Sequence, residues 1–196
     1  MQLAALLALT LAVTQPELLD RTVALVGGQA ITLSDVRAAV ALGLVDDGKA
    51  TMADATARLI DRELILREVQ RYAPPAPEAS EVEARLAGIR TRAGGELSQL
   101  FEKFGFTETR LIAWVRDDLR TEAYLAQRFA SASVPGDAEV SAAYLRQRAE
   151  FDKNGLTFEQ AAPIVRERLV SERRQELIVD WLSHLRRRTD VVIIQQ

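Results

Sequence analysis

The sequence predicts a mainly α-helical fold in which a small β-sheet joins an N-terminal hairpin to a C-terminal strand. Three observations carry this. Thr22–Val26 (TVALV) and Gln29–Ile31 are short, largely apolar runs separated by Gly27-Gly28, which reads as two strands and a tight turn. Asp190–Ile194 (DVVII) is a similar β-branched run at the far end. Runs this short are not stable alone and leave N–H and C=O groups unpaired, so one sheet uniting both ends is the economical solution. Between them, apolar residues recur at helical spacing, so the segment from about residue 21 to 196 is expected to form a single core.

Each helix is marked at its start or its end. Thr32-Leu33-Ser34-Asp35 is a capping box for a first helix reaching about Leu42, followed by a loop over 43–49 around Asp46-Asp47-Gly48. A second helix from Thr51 carries Met52, Ala55, Leu59, Leu66 and Val69 on one face, with Ile60 and Leu64 beside it. It ends at Tyr72-Ala73-Pro74-Pro75, because proline cannot continue the ladder. Ser80-Glu81-Val82-Glu83 reads as the capping box of a third helix, to about Ala93.

A short helix from Glu96 to Phe104 stops at Gly105. Thr107 then caps an amphipathic helix with a stripe of Leu111, Val115, Leu119, Ala126 and Phe129 or Ala130. After the linker 131–136, Asp137 opens a helix carrying Val140, Tyr144 and Phe151. Thr157 and Gln160 box the start of the long last helix, whose stripe is Ile164, Val165, Leu169, Leu177, Ile178, Trp181 and Leu185. Pro163 inside it predicts a kink or a later start. The last helix and strand (157–195) are expected to return to the N-terminal lobe.

Composition narrows the function. Apolar residues at 48% and charged residues at 27% fit a globular chain rather than a disordered one. The 25 basic and 28 acidic residues give a net charge of −3, which offers no basic face for nucleic acid. Without cysteine, thiol catalysis, disulfides and cysteine-ligated zinc are excluded. Leu3–Val13 (LAALLALTLAV) is uncharged and shorter than the roughly 20 residues that span a bilayer. Thr10 and Ala12 follow at cleavage spacing, so residues 1–14 are expected to be a signal peptide, although no Lys or Arg precedes the apolar stretch.

Catalytic constellations are scarce. His184 is the single histidine, and its place near a helix end favours a surface role. Ser34, Asp35 and His184 show no strained nucleophile turn. Gly27-Gly28 lacks the lysine and spacing of a phosphate loop. Asp117 and Asp118 point about 100° apart on a helix and share a metal poorly, and Asp46-Asp47 suits a turn. The arginines of the last helix alternate with Glu167, Glu172, Glu176 and Asp180, which suits a solvated face. No cofactor, metal or enzymatic activity is expected. Aromatic residues concentrate in the second half of the chain, and a subset lining an apolar groove would suit non-covalent capture of other chains.

The order of elements is itself informative. RTVALVGGQAITLSDV (21–36), LIDRELIL (59–66), SEVE (80–83), GFTETRL (105–111), DAEVSAAY (137–144) and the closing DVVII (190–194) follow one another in a familiar succession. Together they resemble SurA-type periplasmic chaperones, in particular the helical N-terminal domain of that family. In many relatives a parvulin prolyl isomerase domain is inserted; here only EFDKNGL (150–156) stands in that place. The resemblance implies a periplasmic holdase that binds unfolded envelope or outer-membrane polypeptides without isomerase activity. Phe104, Phe106, Trp114 and Tyr124 are then the expected groove contacts. The alternatives are a peptidyl-prolyl isomerase relative and a non-enzymatic envelope adaptor or dimerisation module.

Overall fold

The computed structural model describes residues 20–45 and 51–194. The expected signal peptide (1–14) and the Asp46-Asp47 turn lie outside the described residues. The chain is mainly helical, with a three-stranded antiparallel sheet. Strands β1 (Thr22–Val26), β2 (Gln29–Thr32) and β3 (Val191–Ile193) take the order β2-β1-β3. The N-terminal and C-terminal β segments therefore pair, as their composition predicts. Leu25 faces Val192 and Ala24 faces Ile193 across the closing pair.

The hairpin turn depends on its glycines. Gly27 (φ +53°) and Gly28 (φ +87°) supply the two positive φ values that a tight hairpin of this hand requires. A Cβ on Gly27 would stand 2.6 Å from the Arg67 guanidinium carbon, and Arg67 itself donates to the carbonyl of Gly27 at 3.2 Å. Gly27→Ala is therefore expected to cost about 1–2 kcal/mol. Urea unfolding measures this, and a neutral result would contradict the turn geometry.

Helices α1 (Leu33–Ala41), α2 (Met52–Tyr72), α3 (Ala79–Ala93), α4 (Leu97–Phe104) and α5 (Glu108–Arg128) build the main lobe. The Thr32–Asp35 box is present in both directions, at 3.1 and 3.2 Å. Helix α3 starts earlier than Ser80: Glu78 is its extended N-cap, and the Glu81 carboxylate accepts the N–H of Glu78 at 3.2 Å. Helix α2 is the centre of the lobe. Ala55, Leu59, Ile60 and Leu64 meet the sheet and α1, while Ile65 and Val69 meet Tyr124 of α5. In α5, Leu111 and Val115 pack on Val82, Leu86 and Ile89 of α3, but Ala126 is exposed. Leu119 is half-buried and Phe129 buried, so the predicted stripe holds at both ends of the helix and misses at Ala126.

Helices α6 (Asp137–Arg146) and α7 (Arg148–Lys153) precede the long α8 (Phe158–Arg188). Tyr144 and Phe151 fall on separate helices yet stack at 5.4 Å between ring centroids. With Val140, Ala143, Ala161 and Val165 they make a second, smaller core around the first part of α8. Helix α8 starts at Phe158, where the N–H of Thr157 donates to Gln160 Oε1 at 3.0 Å, and continues through Pro163. Ile164 is 51% exposed, so that predicted stripe position faces solvent. The last turns return to the main lobe: Leu185 joins the sheet core, and Trp181 lies 6.0 Å from Tyr124 and 5.9 Å from Phe129. Arg186 and Arg188 tie the same end to Asp61 and Glu68 of α2, at 2.7 and 2.6 Å.

Candidate binding groove

Two concavities meet at Met52. One, of about 630 Å³, lies between Val23 of β1, Leu33 of α1, Met52, Thr56 and Ile60 of α2, and the chain end at Ile193 and Ile194. The other, of about 480 Å³, lies between Ser34, Arg37 and Val40 of α1, Met52, and Lys103 and Phe104 of α4. With Met52 as their shared wall, the two are read together as one track, lined mostly by apolar side chains. Met52 is 42% exposed and Ile193 is 61% exposed, so the apolar surface is open to a visitor. Exposed apolar surface of this kind marks interaction sites more often than it marks chance.

Among the described residues no strand pairs with the outer side of β3, and this edge borders the track. The N–H of Ile194 donates to the carbonyl of Val23 at 2.9 Å, and the N–H of Gly27 donates to the carbonyl of Asp190 at 2.7 Å. Backbone groups alternate in direction along a strand, so those of Val191 and Ile193 point away from β1. With β3 at the edge of the sheet, they offer hydrogen bonds to an added extended segment.

A second, polar site lies by β2. A cavity of about 210 Å³ is lined by Gln29, Asp35, Arg62, Glu63, Arg110 and Trp114, among others. Arg62 donates to Asp118 Oδ1 at 3.0 Å and to the carbonyl of Trp114 at 3.3 Å, with its guanidinium 3.7 Å from the indole centroid. Arg110 pairs with Asp35 at 2.6 Å and covers the Phe106 ring at 4.7 Å. Here the arginines already have partners, which suits a structural network.

Burial raises the Asp118 carboxyl above its ordinary 3.8, opposed by Arg62. Burial likewise raises Glu63 above 4.5, opposed by Arg67 and Arg62. Both folded values are raised, so between the unfolded and folded values the native state holds more protons than the unfolded chain. This pair's contribution to stability therefore falls as pH rises through the window just above those ordinary values. Relative to Glu63→Gln, the native protein is expected to lose stability as pH rises above the ordinary carboxyl value of 4.5. Parallel pH profiles of the two, measured by urea unfolding, would contradict the burial of Glu63.

The four sequence-predicted contacts do not share a surface. Phe104 is half-buried on the wall of the groove. Trp114 is half-buried beneath Arg62 in the polar site. Phe106 and Tyr124 are only 5% and 6% exposed, which corrects their expected place as open groove contacts. The N–H of Phe106 folds back to the carbonyl of Phe101 after the Gly105 turn, driving its ring into the core beside Leu111. Tyr124 faces Ile65 and Val69. Met52 moves the other way: the helical stripe assigns it to the core, but at the first position of α2 it overhangs the groove. His184 is exposed on α8, 3.5 Å from Asp180.

No family model matches this chain, and no curated protein matches it either.

Proposed function

We propose that the protein is a periplasmic holdase-type chaperone that binds unfolded envelope or outer-membrane polypeptides without isomerase activity. The observation that carries this reading is the open apolar track beside the free edge of β3. A track and an edge together suit an extended chain: the edge bonds to its backbone, and the floor takes alternate side chains without reading a fixed sequence. Ordering a disordered client costs entropy, so affinity is modest and release needs no energy source. The succession of elements described above, from RTVALVGGQAITLSDV to DVVII, is what points to the envelope as the compartment and to its unfolded proteins as the clients.

The test is suppression of aggregation of an unfolded outer-membrane β-barrel protein diluted from urea. The native chain is expected to suppress it, and a Met52→Asp/Phe104→Ser variant to lose most of that effect while staying folded. Absence of suppression by the native protein overturns the reading. Full suppression by the folded variant overturns the assignment of the groove.

A further inference from the structure

We infer that the groove selects extended apolar segments that carry acidic side chains at one end, an inference that rests on the chaperone reading and names its client class. Among the described residues lining the two concavities, the charged ones are Arg37 and Lys103, both cations and both exposed. This is a local inversion on a chain whose net charge is −3. Arg62, Arg85, Arg110, Arg166, Arg173 and Arg186 each hold a carboxylate, whereas neither Arg37 nor Lys103 makes an ion pair among the described residues.

Two carboxylates at the neighbouring helix starts are engaged. Asp20 accepts the N–H of Ser34 at the start of α1, and Asp54 accepts the N–H and hydroxyl of Thr51 at the start of α2. Both serve the helix starts they cap, and among the described residues lining the α1–α4 concavity the charged side chains are Arg37 and Lys103. Lys103 Nζ stands 5.4 Å from the Phe104 ring centroid, so a carboxylate held there sits directly beside the apolar floor. Among the described residues, the β3 end is lined by uncharged side chains. The polarity of the track follows: apolar residues against Ile60 and Ile193, acidic ones toward Arg37 and Lys103.

The experiment titrates the full chain into three fluorescent ten-residue peptides sharing one alternating apolar core and ending in Glu-Glu, Gln-Gln or Lys-Lys. The Glu-Glu peptide is expected to bind about tenfold more tightly than Lys-Lys at low salt, the scale of two exposed ion pairs replaced by two repulsions. The preference should shrink at high salt and invert in the Arg37→Glu/Lys103→Glu variant, whose exposed substitutions leave the core intact. Equal binding of the three peptides, or no inversion, overturns the inference. If the native chain still suppresses aggregation in that case, the chaperone reading stands without it. Binding of none of the peptides overturns the inference too, and the same aggregation assay then decides the chaperone reading separately.

Discussion

Leu185→Ala is expected to destabilise the protein by about 2–5 kcal/mol, the range for truncating a fully buried leucine whose surroundings relax only in part. For a chain of this length that lowers Tm by roughly 5–15 °C. Leu185 is 2% exposed and packs with Val23, Ala24, Val26 and Leu64, so it docks the end of α8 onto both the sheet and α2. The neighbouring contacts are weaker substitutes. Arg186 is about half exposed in its pair with Asp61, and pairs of that kind contribute little. Loss of Leu185 also loosens the approach of β3 to β1, since α8 leads directly into that strand. Thermal denaturation followed by circular dichroism reads the effect. A loss below about 1 kcal/mol would mean that the returning helix is not part of the main core.

The second large effect separates two neighbouring phenylalanines. Phe106→Ala is expected to cost about 3–5 kcal/mol, because the ring is 5% exposed among Leu86, Ile89 and Leu111. It also removes the aromatic face beneath Arg110, a smaller contribution. Phe104→Ala, two residues away, removes a half-buried ring on the groove wall and is expected to cost no more than about 1.5 kcal/mol. Its effect should fall on client holding instead. Chemical unfolding and the aggregation assay, run on both variants, resolve the two roles. Equal destabilisation by the two substitutions would contradict the assignment of Phe104 to an open wall.

The closure of the chain on itself is legible in the sequence because strand composition is local and unpaired strands are costly. TVALV and DVVII have no stable alternative to pairing, and they pair. Helix starts are legible for the same local reason: Thr32–Asp35, Thr51–Asp54 and Thr157–Gln160 each bring a side chain to a backbone donor within three residues. The start of α3 is less so, because Glu78, a weaker capping residue than Ser80, takes the N-cap place.

The groove is barely legible, since it depends on which neighbour each helix face meets. Phe104 and Phe106 look alike in sequence, and the Gly105 turn sends one to the surface and the other inward. Met52 satisfies a helical stripe but lies at the first position of α2, where it is 42% exposed while Ala55, on the same face, is buried. Ile193 and Ile194 read as strand-formers, and composition does not say that their strand would be an edge. The second core around Tyr144 and Phe151 follows from α8 being long enough to serve two sets of neighbours.

Photo-crosslinking tests the central claim most directly, with a photoreactive side chain at position 52, 104 or 193 of the full chain and, as a control, at the exposed position 83 on α3. With an unfolded outer-membrane β-barrel as client, crosslinks are predicted at 52, 104 and 193 and not at 83. A uniform pattern, or one that favours position 83, would contradict the groove beside β3 as the place where clients are held.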